Sequence, residues 1–243
     1  MKVSVSFLKS KLPLKETISS IMETDADFLH VDIMDGVFVP AKSMPIDEIS
    51  ELLQDVAKPL DIHLMVENPL EYIPKLATLN TRYITFHSEI NVDTLSLVSL
   101  IHQHGIRAGL AINPMTPISR ITPYLNFIDY VLIMGVNPGQ GGQAIIDETI
   151  SKIVELDKIR NSYQYHFLIG FDGGVNSESI TKLDGVDIAV AGSFICMSDD
   201  YQHQIDLLKK KQSSIELFLM HYFFISRFGR FYLLLRYIIR NHM

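Results

Sequence analysis

Short apolar runs recur along the chain at Val3–Phe7, Phe28–Ile33, Leu60–Met65, Tyr83–His87, Ala108–Ile112, Tyr130–Met134, Phe167–Phe171 and Ile188–Ala191. Each is rich in β-branched and aromatic residues, the composition of strands covered on both faces. Between them the apolar positions move to a spacing of about 3.6, which predicts helices over Pro69–Leu79, Asp93–His104, Ile118–Asn126, Ile145–Ile159 and Ser177–Leu183. Two of these carry start signals: Asn68 can cap with Pro69 in the first turn, and Asn176-Ser177 stands ahead of Glu178. Alternating strands and helices over about 210 residues predict an α/β fold, a closed parallel (β/α)8 TIM barrel with its chemistry where strands end and loops begin. An open doubly wound sheet is the competing architecture. The barrel is preferred because polar residues with chemical potential occur on several strands, rather than beside one glycine-rich first turn.

Composition changes this picture little. The chain has 243 residues and a formal net charge of -7, so no basic footprint suggests a nucleic-acid partner. A small anionic substrate must instead find local positive potential or backbone amides. The single cysteine, Cys196, lies in the apolar context Ser-Phe-Ile-Cys-Met and reads as a small core hydrophobe. Without an internal disulfide or a signal-peptide pattern at Met1–Leu8, a cytoplasmic location is the default expectation.

The last stretch differs. Residues 1–211 form the barrel unit, and 212–243 read as an apolar, aromatic and basic extension with Arg227, Arg230 and Arg236 among Leu, Phe, Tyr and Ile. Each central arginine would cost about 2.5–3.5 kcal/mol on insertion, which argues against a membrane span. The extension is expected to pack on the barrel, to mediate self-association, or to attach to a surface.

Candidate chemistry concentrates at strand ends. In His30-Val-Asp32 the two polar side chains share one face of a strand, as do Asp61 and His63. A buried His-Asp hydrogen bond would explain either pair alone. His30, Asp32, His63 and Asp172 together offer a mixed nitrogen and oxygen set suited to one divalent ion such as Zn, Fe, Co or Mn. His87 stands with Glu89 two residues on, and Ser4 and Ser6 lie on the first strand. Glycines cluster after the last three strands, at Asn137-Pro-Gly-Gln-Gly-Gly-Gln143, Gly173-Gly174 and Ala191-Gly192-Ser193. Such loops let backbone amides approach a phosphate, and barrels commonly bind phosphate there.

These pieces, in this order, resemble the ribulose-phosphate 3-epimerase family over about residues 1–210. The resemblance is carried by Ser6-Phe-Leu8, His30-Val-Asp-Ile-Met-Asp-Gly-Val-Phe-Val-Pro40, Asp61-Ile-His-Leu-Met-Val66, Phe86-His-Ser-Glu89, the Asn137–Gln143 loop, Asp172-Gly-Gly-Val175 and Ala191-Gly-Ser193. It implies a barrel with one metal held by His30, Asp32, His63 and Asp172, with Asp32 as proton acceptor and Asp172 as donor. Ser6 and His63 are implied to contact the sugar. Gly139, Gln140, Gly141, Gly142, Gly173, Gly174, Gly192 and Ser193 are implied around the phosphate.

The implied reaction is 3-epimerisation of a ketose phosphate through a 2,3-enediolate, D-ribulose 5-phosphate to D-xylulose 5-phosphate, which is pentose phosphate chemistry. A hexulose 6-phosphate such as allulose 6-phosphate is the alternative substrate, and a non-catalytic sugar-phosphate-binding scaffold the alternative class. Met34, Met65 and Met134 are expected to line the site or pack beside it. Val37, Ala41 and Gln140 depart from the family pattern, in which a His, an Asn and often a Phe stand; none of these removes a ligand or an acid.

Overall fold

The structure, a computed structural model, describes residues 1–209. Everything expected of the segment after Lys211 lies outside the described residues.

Eight parallel strands close on one another in chain order. They are β1 (Lys2–Ser6), β2 (Phe28–Met34), β3 (Leu60–Met65), β4 (Thr81–His87), β5 (Arg107–Ile112), β6 (Tyr130–Met134), β7 (Leu168–Asp172) and β8 (Ile188–Ala191). Pairing of β1 with β8, from Lys2 opposite Ile188 to Val5 opposite Ala191, completes the circle and rules out the open sheet. Leu29, Val31 and Ile33 of β2 join the cluster between sheet and helices, while His30 and Asp32 face the lumen with the alternation a strand imposes.

The helical segments are shorter than apolar spacing alone suggests. α1 (Leu14–Met22), α2 (Ile46–Leu53), α4 (Thr94–Gln103) and α5 (Ile150–Tyr163) are regular, α3 (Ile73–Leu76) and α6 (Ser193–Cys196) are single turns, and residues 201–209 form α7. Pro69–Leu79 is a 3-10 turn, Pro69–Glu71, followed by α3, with Pro74 inside. Ile118–Asn126 holds two 3-10 turns, Ile118–Arg120 and Thr122–Tyr124, where Pro123 lacks the N–H a longer helix needs. Ser177–Leu183 narrows to a 3-10 turn at Ser179–Lys182.

Asn176 does cap, its side-chain oxygen accepting the amides of Glu178 and Ser179 at 2.8 and 2.9 Å. Asn68 does not; its side-chain NH₂ donates to Glu71 instead.

The lumen has two floors. Near the amino ends of the strands an apolar plug of Phe28, Tyr83, Tyr130, Leu132 and Ile188 fills it. Phe28 meets Tyr83 edge-on at 5.6 Å, and Tyr83 lies 5.1 Å from Tyr130. Gly170 makes room for this plug, because a Cβ there would lie 2.0 Å from the Tyr130 hydroxyl. Above the plug, towards the carboxyl ends, the inward positions turn polar. Cys196 packs as expected, fully buried, and burial pushes its thiol up to about 12.

Candidate active site

The register of β2 on β3 sets His30 beside Asp61 and Asp32 beside His63, so an imidazole and a carboxylate lie side by side twice. Asp61 Oδ2 accepts from His30 Nδ1 at 2.9 Å and from the Ser4 hydroxyl at 2.8 Å, all three side chains being buried. His30 Nε2 therefore points the other way. It is buried, has no hydrogen-bond partner, and lies 3.4 Å from Asp32 Oδ1 and 4.0 Å from Asp172 Oδ2.

His63 presents its Nδ1 to the same carboxylates, at 3.3 Å from Asp32 Oδ1 and 3.6 Å from Asp172 Oδ2. One ligand atom from each of His30, Asp32, His63 and Asp172 lies within 4.8 Å of the other three. The structure thus brings together all four residues singled out from sequence, from strands β2, β3 and β7.

A buried lone nitrogen facing two carboxylates is costly unless something cationic lies between them. In metal-free protein the groups compensate by sharing protons. Burial works against a charge on His30, but Asp61 and Asp32 outweigh it and hold its pKa well above the ordinary imidazole value. Asp32 is held far below the usual carboxylate range, its burial overcome by His30 and His63. Asp172 goes the opposite way, to about 7: burial raises it, His30 draws it down, and Asp32 and Asp61 push it up. The donor set and its surplus negative charge fit one divalent cation.

Above these groups a cavity opens at the carboxyl ends of the strands. Asp32 and Asp172 reach it, as do Ser6, Met65 and Met134. Its remaining wall is Leu8, Lys9, Val136–Gln143, Gly173–Val175, Val190, Gly192 and Ser193, so every glycine named from sequence lines the same space. The Ser6 hydroxyl donates to Asp32 Oδ2 at 2.7 Å. Met34 does not line the cavity; it packs with Val39 and Met65. Of the departures, Gln140 lines the cavity, Val37 is 73% exposed away from it, and Ala41 packs against the Met34 cluster.

Three groups were not assigned roles from sequence. Asp61 orients His30, as above. Lys9, just past β1, lies across the loop after β6, its ammonium 2.8 Å from where a Cβ on Gly142 would sit, at a backbone φ of +83° that disfavours side chains. It is the one cationic side chain lining the cavity among the described residues. Third, His87 Nε2 lies 2.9 Å from His63 Nε2, and His87 Nδ1 lies 3.2 Å from Glu89 Oε2. Burial holds His87 down to about 4, so it is neutral. Glu89 is ionised at about 2, because hydrogen bonds from His87, Thr116 and the Asn113 amide outweigh its partial burial.

The closed barrel, with four side chains that could hold a metal at the carboxyl ends of its strands beneath a glycine-walled cavity, defines the class as a (β/α)8 barrel enzyme. Comparison with known proteins narrows the class. The sequence model of the Ribulose-phosphate 3 epimerase family matches residues 2–196, and the chain belongs to that family. It is an isomerase acting on carbohydrates, a sugar-phosphate epimerase.

It is 37% identical over 196 residues to the ribulose-phosphate 3-epimerase of Aquifex aeolicus, covering 80% of this chain and 88% of the relative. A Helicobacter pylori protein of the same name is also 37% identical, covering 86% of this chain and 97% of its own. Among solved structures, 3-hexulose-6-phosphate synthase from Salmonella typhimurium superposes with a TM-score of 0.63 at 17% identity, over 86% of this chain and 97% of that one. At that identity the likeness is one of fold. Among the described residues no helix is long and apolar enough to cross a membrane.

Proposed function

We propose that the chain interconverts D-ribulose 5-phosphate and D-xylulose 5-phosphate, with Asp32 and Asp172 exchanging the C3 proton across opposite faces of the sugar and one divalent metal held by His30, Asp32, His63 and Asp172. The observation that carries this reading is the pair of carboxyls. They arrive from β2 and β7, reach one cavity, and are pushed apart in acidity by their surroundings. Two titratable groups so separated are what a base on one face and an acid on the other require. Asp32, ionised, takes the C3 proton of the pentulose; Asp172 delivers one to the other face, and the roles exchange in reverse.

When bound, the divalent cation supplies Lewis-acid stabilisation of the negative charge that develops on the sugar oxygens. His30 Nε2 and His63 Nδ1 serve only as ligands. Ser6, hydrogen-bonded to Asp32, orients the base and lies where it meets the sugar. Met65 and Met134 cover the reacting carbons and limit water. The glycine wall holds the phosphate. The direct test is to incubate metal-loaded protein with ribulose 5-phosphate in heavy water, where xylulose 5-phosphate deuterated at C3 is the expected product. A side-by-side turnover comparison with allulose 6-phosphate checks the substrate length; faster turnover of the hexulose would reassign it.

Lys9 enters this reading as the charge that the net-acidic chain lacks elsewhere in the cavity. It makes no ion pair among the described residues, and its ammonium lies over the glycine loop. Lys9→Met is expected to lower kcat/KM by about 10- to 30-fold, the scale of a lost charge-assisted hydrogen bond, through KM with kcat retained. Inhibition by inorganic phosphate should weaken in parallel. An unchanged phosphate inhibition constant would remove Lys9 from the phosphate site.

A further inference from the structure

One motif at the end of the fourth strand has no part in the chemistry above: His87, its last residue, and Glu89, two residues beyond, polar side chains in file behind His63. We infer that His87 and Glu89 are positioning residues that hold a proton on His63 Nε2, so that Nδ1 is the nitrogen left to bind a cation beside Asp32 and Asp172. This rests on the reading of His63 as a metal ligand.

The dependence runs inward from the carboxylate. Glu89 Oε1 accepts the amide of Asn113 at 2.8 Å and the hydroxyl of Thr116. The Lys152 ammonium, on α5, fixes the carbonyls of those same two residues at 2.8 and 2.7 Å. A carboxylate held this way only accepts, so His87 Nδ1, 3.2 Å from Oε2, holds the His87 proton. The His87 ring is fully buried, with the Phe38 ring 4.5 Å from it. Its other nitrogen is then a lone pair, and His63 Nε2 at 2.9 Å must donate to it. His63 is left with Nδ1 alone to turn to Asp32 and Asp172, as a donor to ionised Asp32 at 3.3 Å while no cation is bound and as the ligand nitrogen once one lies between them. His30 is set by a carboxylate directly, through Asp61; His63 is set by one at a remove, through a second imidazole.

Glu89→Gln should invert the series. The Asn113 amide demands the carbonyl oxygen of the introduced side chain, so its NH₂ group turns to His87 and donates to Nδ1. His87 then donates from Nε2, and His63 is forced to carry its proton on Nδ1.

The test combines two measurements on the intact chain. Long-range proton–nitrogen NMR of zinc-loaded protein at pH 8 reads which ring nitrogens carry protons, and cobalt(II) titration of metal-free protein followed by its visible absorption reads metal affinity. Wild type should show His63 protonated on Nε2 and His87 on Nδ1. Glu89→Gln should exchange both and weaken cobalt binding about 10- to 100-fold. Wild-type His63 protonated on Nδ1 overturns the inference even if the variant does not fold. A folded variant with unchanged tautomers and affinity overturns it too. Wild type whose His87 carries its proton on Nδ1 but that binds neither zinc nor cobalt leaves the hydrogen-bond series standing and overturns the metal reading instead.

Discussion

Asp172→Asn is expected to abolish net epimerisation, lowering turnover by about 10²–10⁴-fold, the range for removing one positioned acid/base group. Asparagine matches the carboxylate in shape, so the cavity wall at Gly173 and Gly174 stays in place, and saturating metal offsets the weakened ligand. What asparagine cannot do is carry a proton to the second face. Asp32 remains, still bonded to Ser6 and still the more acidic of the pair. The variant should therefore retain one half of the reaction: in heavy water the C3 hydrogen of ribulose 5-phosphate exchanges with solvent, and no xylulose 5-phosphate forms. Asp32→Asn should show the mirror image, with exchange on xylulose 5-phosphate alone. Full epimerisation by Asp172→Asn at the wild-type rate would end the two-base assignment.

Removing metal is expected to have the second large effect, on turnover and stability together. Exhaustive chelation should reduce activity to background, and readdition of zinc, iron, cobalt or manganese should restore it to differing extents. A ligand present at 100 to 1,000 times its Kd stabilises the folded chain by about 2.7–4.1 kcal/mol. At about 2–4 °C per kcal/mol for a domain of this size, metal-free protein should melt about 5–15 °C lower.

The gap should widen with pH. In the metal-free fold Asp172 titrates near 7 rather than at its unfolded value, so its ionisation penalises the folded state increasingly as pH rises from about 4 to 7. His30, with its pKa raised, adds stability below its unfolded value that is lost as pH rises through the folded one. Both push the metal-free Tm down between pH 5 and 8, whereas a bound cation favours the deprotonated ligands and flattens the curve. Buried His87, held down to about 4, adds stability to both forms as pH rises from about 4 to 6.5 and cancels in their difference, so activity that survives chelation, or a Tm gap that narrows over this range, would refute the site's electrostatics.

Much of this site was legible in the sequence because a strand repeats every two residues. His30-x-Asp32 and Asp61-x-His63 fall on one face by that period alone, and the glycines of the last three loops mark where backbone must come close to a ligand. What pairing adds could not be read from one strand. Asp61 serves His30 rather than its own neighbour His63, which follows from the β2–β3 register.

His87 and Glu89 were visible as a pair, but the pairing of β3 with β4 shifts between Leu60 and Asp61, so their alignment with His63 could not be counted out along the chain. Lys9 follows β1 and meets a loop after β6, a contact set by barrel closure. The helices were over-read for a local reason: Pro74 and Pro123 sit inside apolar spacing that looks continuous, yet each withholds an amide hydrogen.

The closure of β8 on β1 has a consequence for how the molecule is made. His30, Asp32 and His63 leave the ribosome within the first third of the chain, whereas Asp172 follows more than a hundred residues later and is placed only when the final strands seal the ring. A nascent chain ending before β7 holds three of the four ligands and no fourth side to the site. High-affinity capture of a cation by this group would thus be a late event, coupled to the longest-range pairing in the fold, and the ion would act as a latch on a finished barrel rather than a seed for an unfinished one.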